Sequence, residues 1–167
     1  MSLLLVGINH KTADISLREK VAFPPEIISD ALRQIRTLPG ICEVVLLSTC
    51  NRTELYINGV HSTFSVDDQS RQCKESLVNQ RVDQVVDWLV DFHKFQSIDL
   101  RKSIYSLSGV EVVKHLMKVS CGLDSLVLGE PQILGQIKSA FALAKVLNFV
   151  DSSLSRVFNA AFSIAKE

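Results

Sequence analysis

Cys42-Glu43-Val44-Val45-Leu46-Leu47-Ser48, then Thr49-Cys50-Asn51-Arg52, then Thr53-Glu54-Leu55-Tyr56-Ile57-Asn58: the fold turns on how this stretch is read. Its first part is dense in branched apolar residues, the composition of a buried strand. Its last part alternates in polarity, as a second strand does. A short polar break separates the two. Strand, tight turn and strand predict an antiparallel hairpin.

Working outward, Leu3 to Ile8 reads as another buried strand, followed by polar loop from Asn9 to Ser16. Leu17 to Val21 suits a short helix ending before Phe23-Pro24-Pro25. Pro25 fits the first turn of a helix running to about Thr37, with Ile27, Ile28, Ala31, Leu32 and Ile35 on its inner face. On the other side of the hairpin, Gly59 to about Asn79 is polar and lacks a clear period, so a surface insertion or loop is expected there. Val82, Val85, Val86, Leu89 and Val90 mark an amphipathic helix, and Ile104 to Leu107 a short strand. The order is that of the ferredoxin-like βαββαβ fold, an α+β arrangement whose antiparallel sheet carries helices on one face. This accounts for residues 1–108. Residues 109–167 read as helical, with apolar stripes through Val112, Leu116 and Val119, through Ile133, Ile137 and Phe141, and through Leu154, Phe158 and Ala161. The pattern stops at Lys166-Glu167 without a cap, which predicts a linking helix continuing into a longer protein.

Lys+Arg and Asp+Glu both number 18, for a net charge of +0. A chain that held RNA mainly by counterion release would be more basic, so composition alone names no nucleic-acid partner. The hydrophobic fraction of 47% and charged fraction of 22% are those of a globular domain. Apolar runs such as Val44 to Leu47 are too short to span a bilayer, and Met1 to Val6 lacks a basic leader, so a cytoplasmic location is expected. Cys42, Cys50, Cys73 and Cys121 form no C-x-x-C pair and have no histidine at zinc-ligand spacing. No metal site is predicted, and the cysteines are expected to be free thiols.

Cys50 stands at the end of an apolar strand, where a tight turn can project a side chain toward substrate and expose N–H groups to a developing oxyanion. Arg52 nearby would favour the thiolate, the reactive form. The alternative is an inert cysteine in a hairpin turn. Arg52 offers a planar fork suited to a carboxylate, or a partner for Glu54. Thr49 and Asn51 could orient a substrate or satisfy the turn backbone. His115, on the stripe of Val112 and Leu116, is a candidate base or polariser, and His10, directly after the first strand, could face a cleft. Each has a plainer reading as a boundary histidine. The connection from Gly122 to Gln132 carries Ser125 and Glu130, with Gln136 a turn further on. No Gly-x-Gly-x-x-Gly occurs, so the sequence gives no basis for a nucleotide site.

Three motifs carry a resemblance. Gly7-Ile8-Asn9-His10-Lys11-Thr12-Ala13 with Leu17-Arg18-Glu19, Leu47 to Tyr56 around Cys50, and Ser125 to Gln136 together resemble bacterial glutamyl-tRNA reductases. The resemblance spans almost the whole chain. It implies that Cys50 attacks the glutamyl ester of glutamyl-tRNA, leaving a thioester that NADPH then reduces to glutamate-1-semialdehyde, the precursor of tetrapyrroles. It also implies that Thr49, Asn51, Arg52, Ser125, Glu130, Pro131, Gln132 and Gln136 bind substrate, with Arg52 on its carboxylate, and that His115 is catalytic. The family continues into an NADPH-binding domain and a dimerisation domain, so a homodimer is implied, with glutamate-1-semialdehyde aminomutase as a partner. The polar stretch around His61 to Gln80 is longer than the family's. Two other readings stand beside this one: a non-catalytic module binding RNA or a partner through its ferredoxin-like sheet, and an unrelated thiol hydrolase.

Overall fold

The computed structural model describes residues 2–59, 71–94, 97–124 and 132–165. The hairpin forms as the alternation predicts. β2 (Ile41–Ser48) and β3 (Arg52–Gly59) pair antiparallel from Ser48↔Thr53 to Ile41↔Gly59, with a bulge between Ile41 and Glu43. β1 (Ser2–Asn9) runs antiparallel along the other side of β3, and β4 (Tyr105–Ser108) antiparallel beyond β1. The resulting order, β2-β3-β1-β4, is the ferredoxin-like one: each split β-α-β unit leaves a gap that a strand of the other fills.

One face of the sheet presents Leu4, Val6, Ile8, Val44, Leu46, Leu55 and Ile57 to α1 (Ile15–Val21), α2 (Pro25–Arg36), α3 (Arg71–His93) and α4 (Ser97–Ser103). The alternate positions Leu3, Leu5, Val45, Leu47 and Tyr56 face α5 (Val110–Ser120), α6 (Gln132–Val146) and α7 (Ser152–Ile164). The sheet is therefore covered on both faces, where helices on one face were expected of it. The reason is visible in β1 and β2. Leu3 to Val6 and Val44 to Leu47 are continuous apolar runs, which belong to strands buried from both sides.

Two further differences concern helices. α3 begins at Arg71, inside the stretch expected to be loop, and turns Glu75, Ser76, Asn79 and Gln80 to solvent. Val78 packs against the core, but one such contact in a largely polar run gives no period to detect. The rest of the expected insertion, 60–70, lies outside the described residues. α4 escaped notice for a related reason: its one fully buried apolar residue, among those described, is Leu100.

Buried polar groups tie the layers together. Glu43 Oε1 accepts from the backbone N–H groups of Asp151 (2.7 Å) and Leu154 (3.1 Å) at the start of α7, where Asp151 makes no side-chain cap of its own. Its Oε2 accepts from Asn58 Nδ2 at 2.6 Å. A side chain of the edge strand thus satisfies one orphan donor in the first turn of a helix on the second face and the N–H of its N-cap residue. The Val44 N–H donates to Phe149 O at 2.9 Å, covering part of the β2 edge.

Candidate active site

Antiparallel pairing brings the ends of β1 and β2 and the starts of β3 and β4 to one end of the sheet. The turn Thr49–Arg52 sits there. The Thr49 N–H donates to Arg52 O at 2.8 Å, and Thr49 Oγ1 accepts from the N–H groups of Asn51 and Arg52, each at 3.2 Å. Thr49 therefore satisfies the turn backbone. The Cys50 N–H donates to none of the described residues. Cys50 itself is a free, exposed cysteine. Its carbonyl is held by Arg18 Nη1 of α1 at 2.8 Å, and the same nitrogen donates to Asn51 Oδ1 at 3.2 Å. The backbone of His10, just past β1, donates to Asn51 O at 3.0 Å.

Beneath the turn, Arg52, Glu54 and Tyr56 occupy alternate positions of β3 and so share one face, the one covered by α5. Glu54 is fully buried. Its Oε1 accepts from Arg52 Nη1 (2.8 Å), from His115 Nε2 (2.8 Å) and from the Tyr105 hydroxyl, and its Oε2 from the Tyr56 hydroxyl (2.6 Å). Burial by itself would raise its pKa. The hydrogen bond from His115 and the charge of Arg52 outweigh that and bring it down to about 2. An ionised carboxylate only accepts, so His115 Nε2 carries its hydrogen, and in the neutral ring Nδ1 is the accepting nitrogen. Burial and the Glu54 charge push both tyrosine hydroxyls up, keeping them as donors. The site needs glycine opposite Glu54. A Cβ on Gly7 would lie 2.7 Å from Thr53 O and 2.9 Å from Glu54 Cγ.

Arg52 is 2% exposed. Its Nη2 donates to the Asp124 carbonyl (2.5 Å) and to Asp124 Oδ2 (3.2 Å), while Asp124 Oδ1 takes Lys11 Nζ. Burial would raise the Asp124 pKa, but Lys11 and Arg52 hold it below the ordinary range. The pairing of Arg52 with Glu54 that the spacing allowed is present, inside the protein rather than on its surface. His10 Nδ1 is buried with no partner among the described residues. Burial, then the charges of Arg52 and Lys11, lower the His10 pKa, which favours the neutral ring.

Gln132 and Gln136 line a cavity of about 540 Å³ together with Ser48, Pro25, Ile28 and Leu143, adjoining the turn on the β2 side. Ser125, Glu130 and Pro131 lie outside the described residues. Sequence reasoning singled out Cys50, Arg52, Thr49, Asn51 and His115, all of which the fold gathers here. It missed Glu54 as the hub, together with Tyr105 and Asp124. The available signal was the run of polar side chains at positions 52, 54 and 56 of a strand whose other face is Thr53, Leu55 and Ile57. Chemically, the arrangement offers an accessible thiol, an N–H at the same residue that no described residue accepts, and an imidazole oriented by Glu54.

The family model described as "Glutamyl-tRNAGlu reductase, N-terminal domain" matches residues 6–167. Glutamyl-tRNA reductases of Shewanella amazonensis and Shewanella halifaxensis are each 46% identical over all 167 residues, and that of Pseudomonas putida is 47% identical. The chain covers 35% of each, so it spans about a third of the length of these relatives. Among solved structures, glutamyl-tRNA reductase from Methanopyrus kandleri superposes with a TM-score of 0.73 at 30% identity, over 98% of this chain and 33% of that one. With its strand order, its cysteine-bearing turn and these likenesses taken together, the chain belongs to the glutamyl-tRNA reductase family and corresponds to the family's N-terminal domain.

Proposed function

We propose that this chain is the part of a glutamyl-tRNA reductase that transfers the glutamyl group from tRNA to Cys50. The observation that carries the reading is the exposure of Cys50 on a turn whose carbonyls are held by Arg18 and the His10 N–H, at the end of the sheet where the His115–Glu54 pair lies. The Cys50 thiol gives its proton to His115 Nδ1, and the sulfur attacks the ester carbonyl. The Cys50 N–H receives the charge that develops on the carbonyl oxygen. The carbon–oxygen bond to the terminal ribose breaks, His115 returns the proton to the leaving oxygen, and a glutamyl thioester remains. Glu54 keeps the imidazole in the required tautomer.

Thr49, Asn51, Gln132 and Gln136 surround the substrate in this reading, with Ser125, Glu130 and Pro131 completing the site. Arg52 receives the substrate carboxylate as the Asp124 carboxylate gives way. The family resemblance assigns the following reduction, to glutamate-1-semialdehyde for tetrapyrrole synthesis, to NADPH. This chain does not fit that cofactor: it has no Gly-x-Gly-x-x-Gly, and Gly7 is packed against the backbone of β3 instead of opening a phosphate cradle. No residue here is assigned to it. The longer enzyme would work as a cytoplasmic homodimer and pass its aldehyde to glutamate-1-semialdehyde aminomutase.

The test is the rate at which charged tRNA loses its glutamyl ester. The chain should accelerate that loss, and Cys50→Ala should reduce it to the rate without protein. His115→Asn should slow it by about 100-fold or more, the scale of general acid–base assistance. Undiminished loss with Cys50→Ala would reject the reading.

A further inference from the structure

On the side of the turn away from Gln132 and Gln136, a cleft of about 350 Å³ opens between the loop after β1, α1 and the end of α4. Thr12, Asp14, Ser16, Lys20, Lys102 and Ser103 line it. Neither Lys20 nor Lys102 forms an ion pair among the described residues. The acid of the cleft, Asp14, has its Oδ1 occupied as the cap of α1, accepting from the Leu17 N–H at 2.8 Å. The cleft thus brings two ammonium groups, against the one carboxylate of Asp14, together with the hydroxyl side chains of Ser16 and Ser103, while the Thr12 hydroxyl is taken up by the backbone of Asn9. That donor set suits phosphate oxygens.

Its place relative to Cys50 follows from the loop after β1: the His10 N–H donates to Asn51 O in the turn, and Thr12 and Ala13, two and three residues on, line the cleft. The ester that Cys50 attacks is carried on the terminal ribose, so the phosphates of the last nucleotides must pass beside the turn. The cavity on the β2 side has no charged residue in its lining and so offers phosphates no cation. We infer that the Lys20–Lys102 cleft holds backbone phosphates at the single-stranded 3′ end of the tRNA. This rests on the thioester reading above for the position of the ribose. In a chain of net charge +0, such local pairing is how an RNA end would be held.

The test is binding of a fluorescent, uncharged RNA hairpin with a single-stranded 3′ CCA end, followed by anisotropy across a salt series. Lys20→Gln with Lys102→Gln should weaken binding about tenfold at low salt. The double variant should also flatten the logarithmic salt dependence by about 1.4, two phosphate contacts at about 0.7 each. Lys118→Gln with Lys145→Gln, the same charge change elsewhere on the surface, should alter neither. Failure of the unaltered chain to bind, an unchanged affinity and slope in the Lys20/Lys102 variant, or an equal loss in the control pair would each overturn the inference. Acylation of Cys50 is measured separately, so loss of the thioester reading would be seen as loss of acylation with RNA binding intact.

Discussion

Glu54 is the residue on which the site is built. A buried carboxylate is tolerated only when its charge is paired and its lone pairs are filled, and here Arg52, His115, Tyr56 and Tyr105 do both. Replacing it leaves Arg52 buried beside fewer partners. Glu54→Ala is expected to cost about 3–5 kcal/mol in urea unfolding, the usual penalty for breaking a buried ion pair from one side. Any fraction that folds should also lose the fixed tautomer of His115, so ester transfer should fall further than stability accounts for. A stability change under about 1 kcal/mol would show that the network is not holding the sheet end together. Cys50 and Arg52 stood out in the sequence as candidates because they lie in and just after a turn that follows an apolar strand, though the family resemblance, not that local pattern, set them above an inert cysteine and a structural arginine. Glu54 did not, because a glutamate inside an alternating strand usually faces water. Only the helix that later covers that face makes it a core residue.

At the scale of elements, the hairpin and the helix faces followed from periodicity, and the strand order followed from their sequence. Period alone could not show that the sheet would be covered twice. That information lay in the unbroken apolar runs of β1 and β2, whose second set of side chains needs α5, α6 and α7. The contact between β1 and β3 sets a tight tolerance at Gly7. Gly7→Ala should force the strands apart or displace Glu54, costing about 1–3 kcal/mol as overpacking does. A melting temperature equal to that of the unaltered chain would contradict this. Glu43 joins the edge strand to α7 by accepting the N–H of the N-cap residue Asp151 and that of Leu154 in the first turn. Glu43→Ala should cost about 1–2 kcal/mol, at the upper end for a lost cap, because the position is buried. Hydrogen exchange should show the loosening concentrated in α7. Uniform exchange across the chain would argue against a local capping role.

For the whole molecule, the ionised hub makes stability depend on acid. Glu54 binds its proton near 4.5 when the chain is unfolded and near 2 when it is folded. The unfolded chain therefore takes up protons first. The stability this group provides is complete above about pH 4.5 and is lost as the pH falls toward 2, to a total of about 3 kcal/mol. In Glu54→Gln that part of the acid dependence should disappear, which a pH series of urea midpoints measures. An unchanged acid limb would place the titration elsewhere. The same organisation leaves the Cys50 sulfur outside the core while the groups beneath the turn lie within it, and the central claim is that this sulfur accepts the glutamyl group. The most direct measurement is mass spectrometry of the chain after mixing with glutamyl-tRNA and quenching in mild acid, with the modified peptide sequenced. The account predicts the mass of one added glutamyl group on Cys50, released by hydroxylamine as a thioester is. An adduct on another residue, or none while the charged tRNA stays intact, would contradict it.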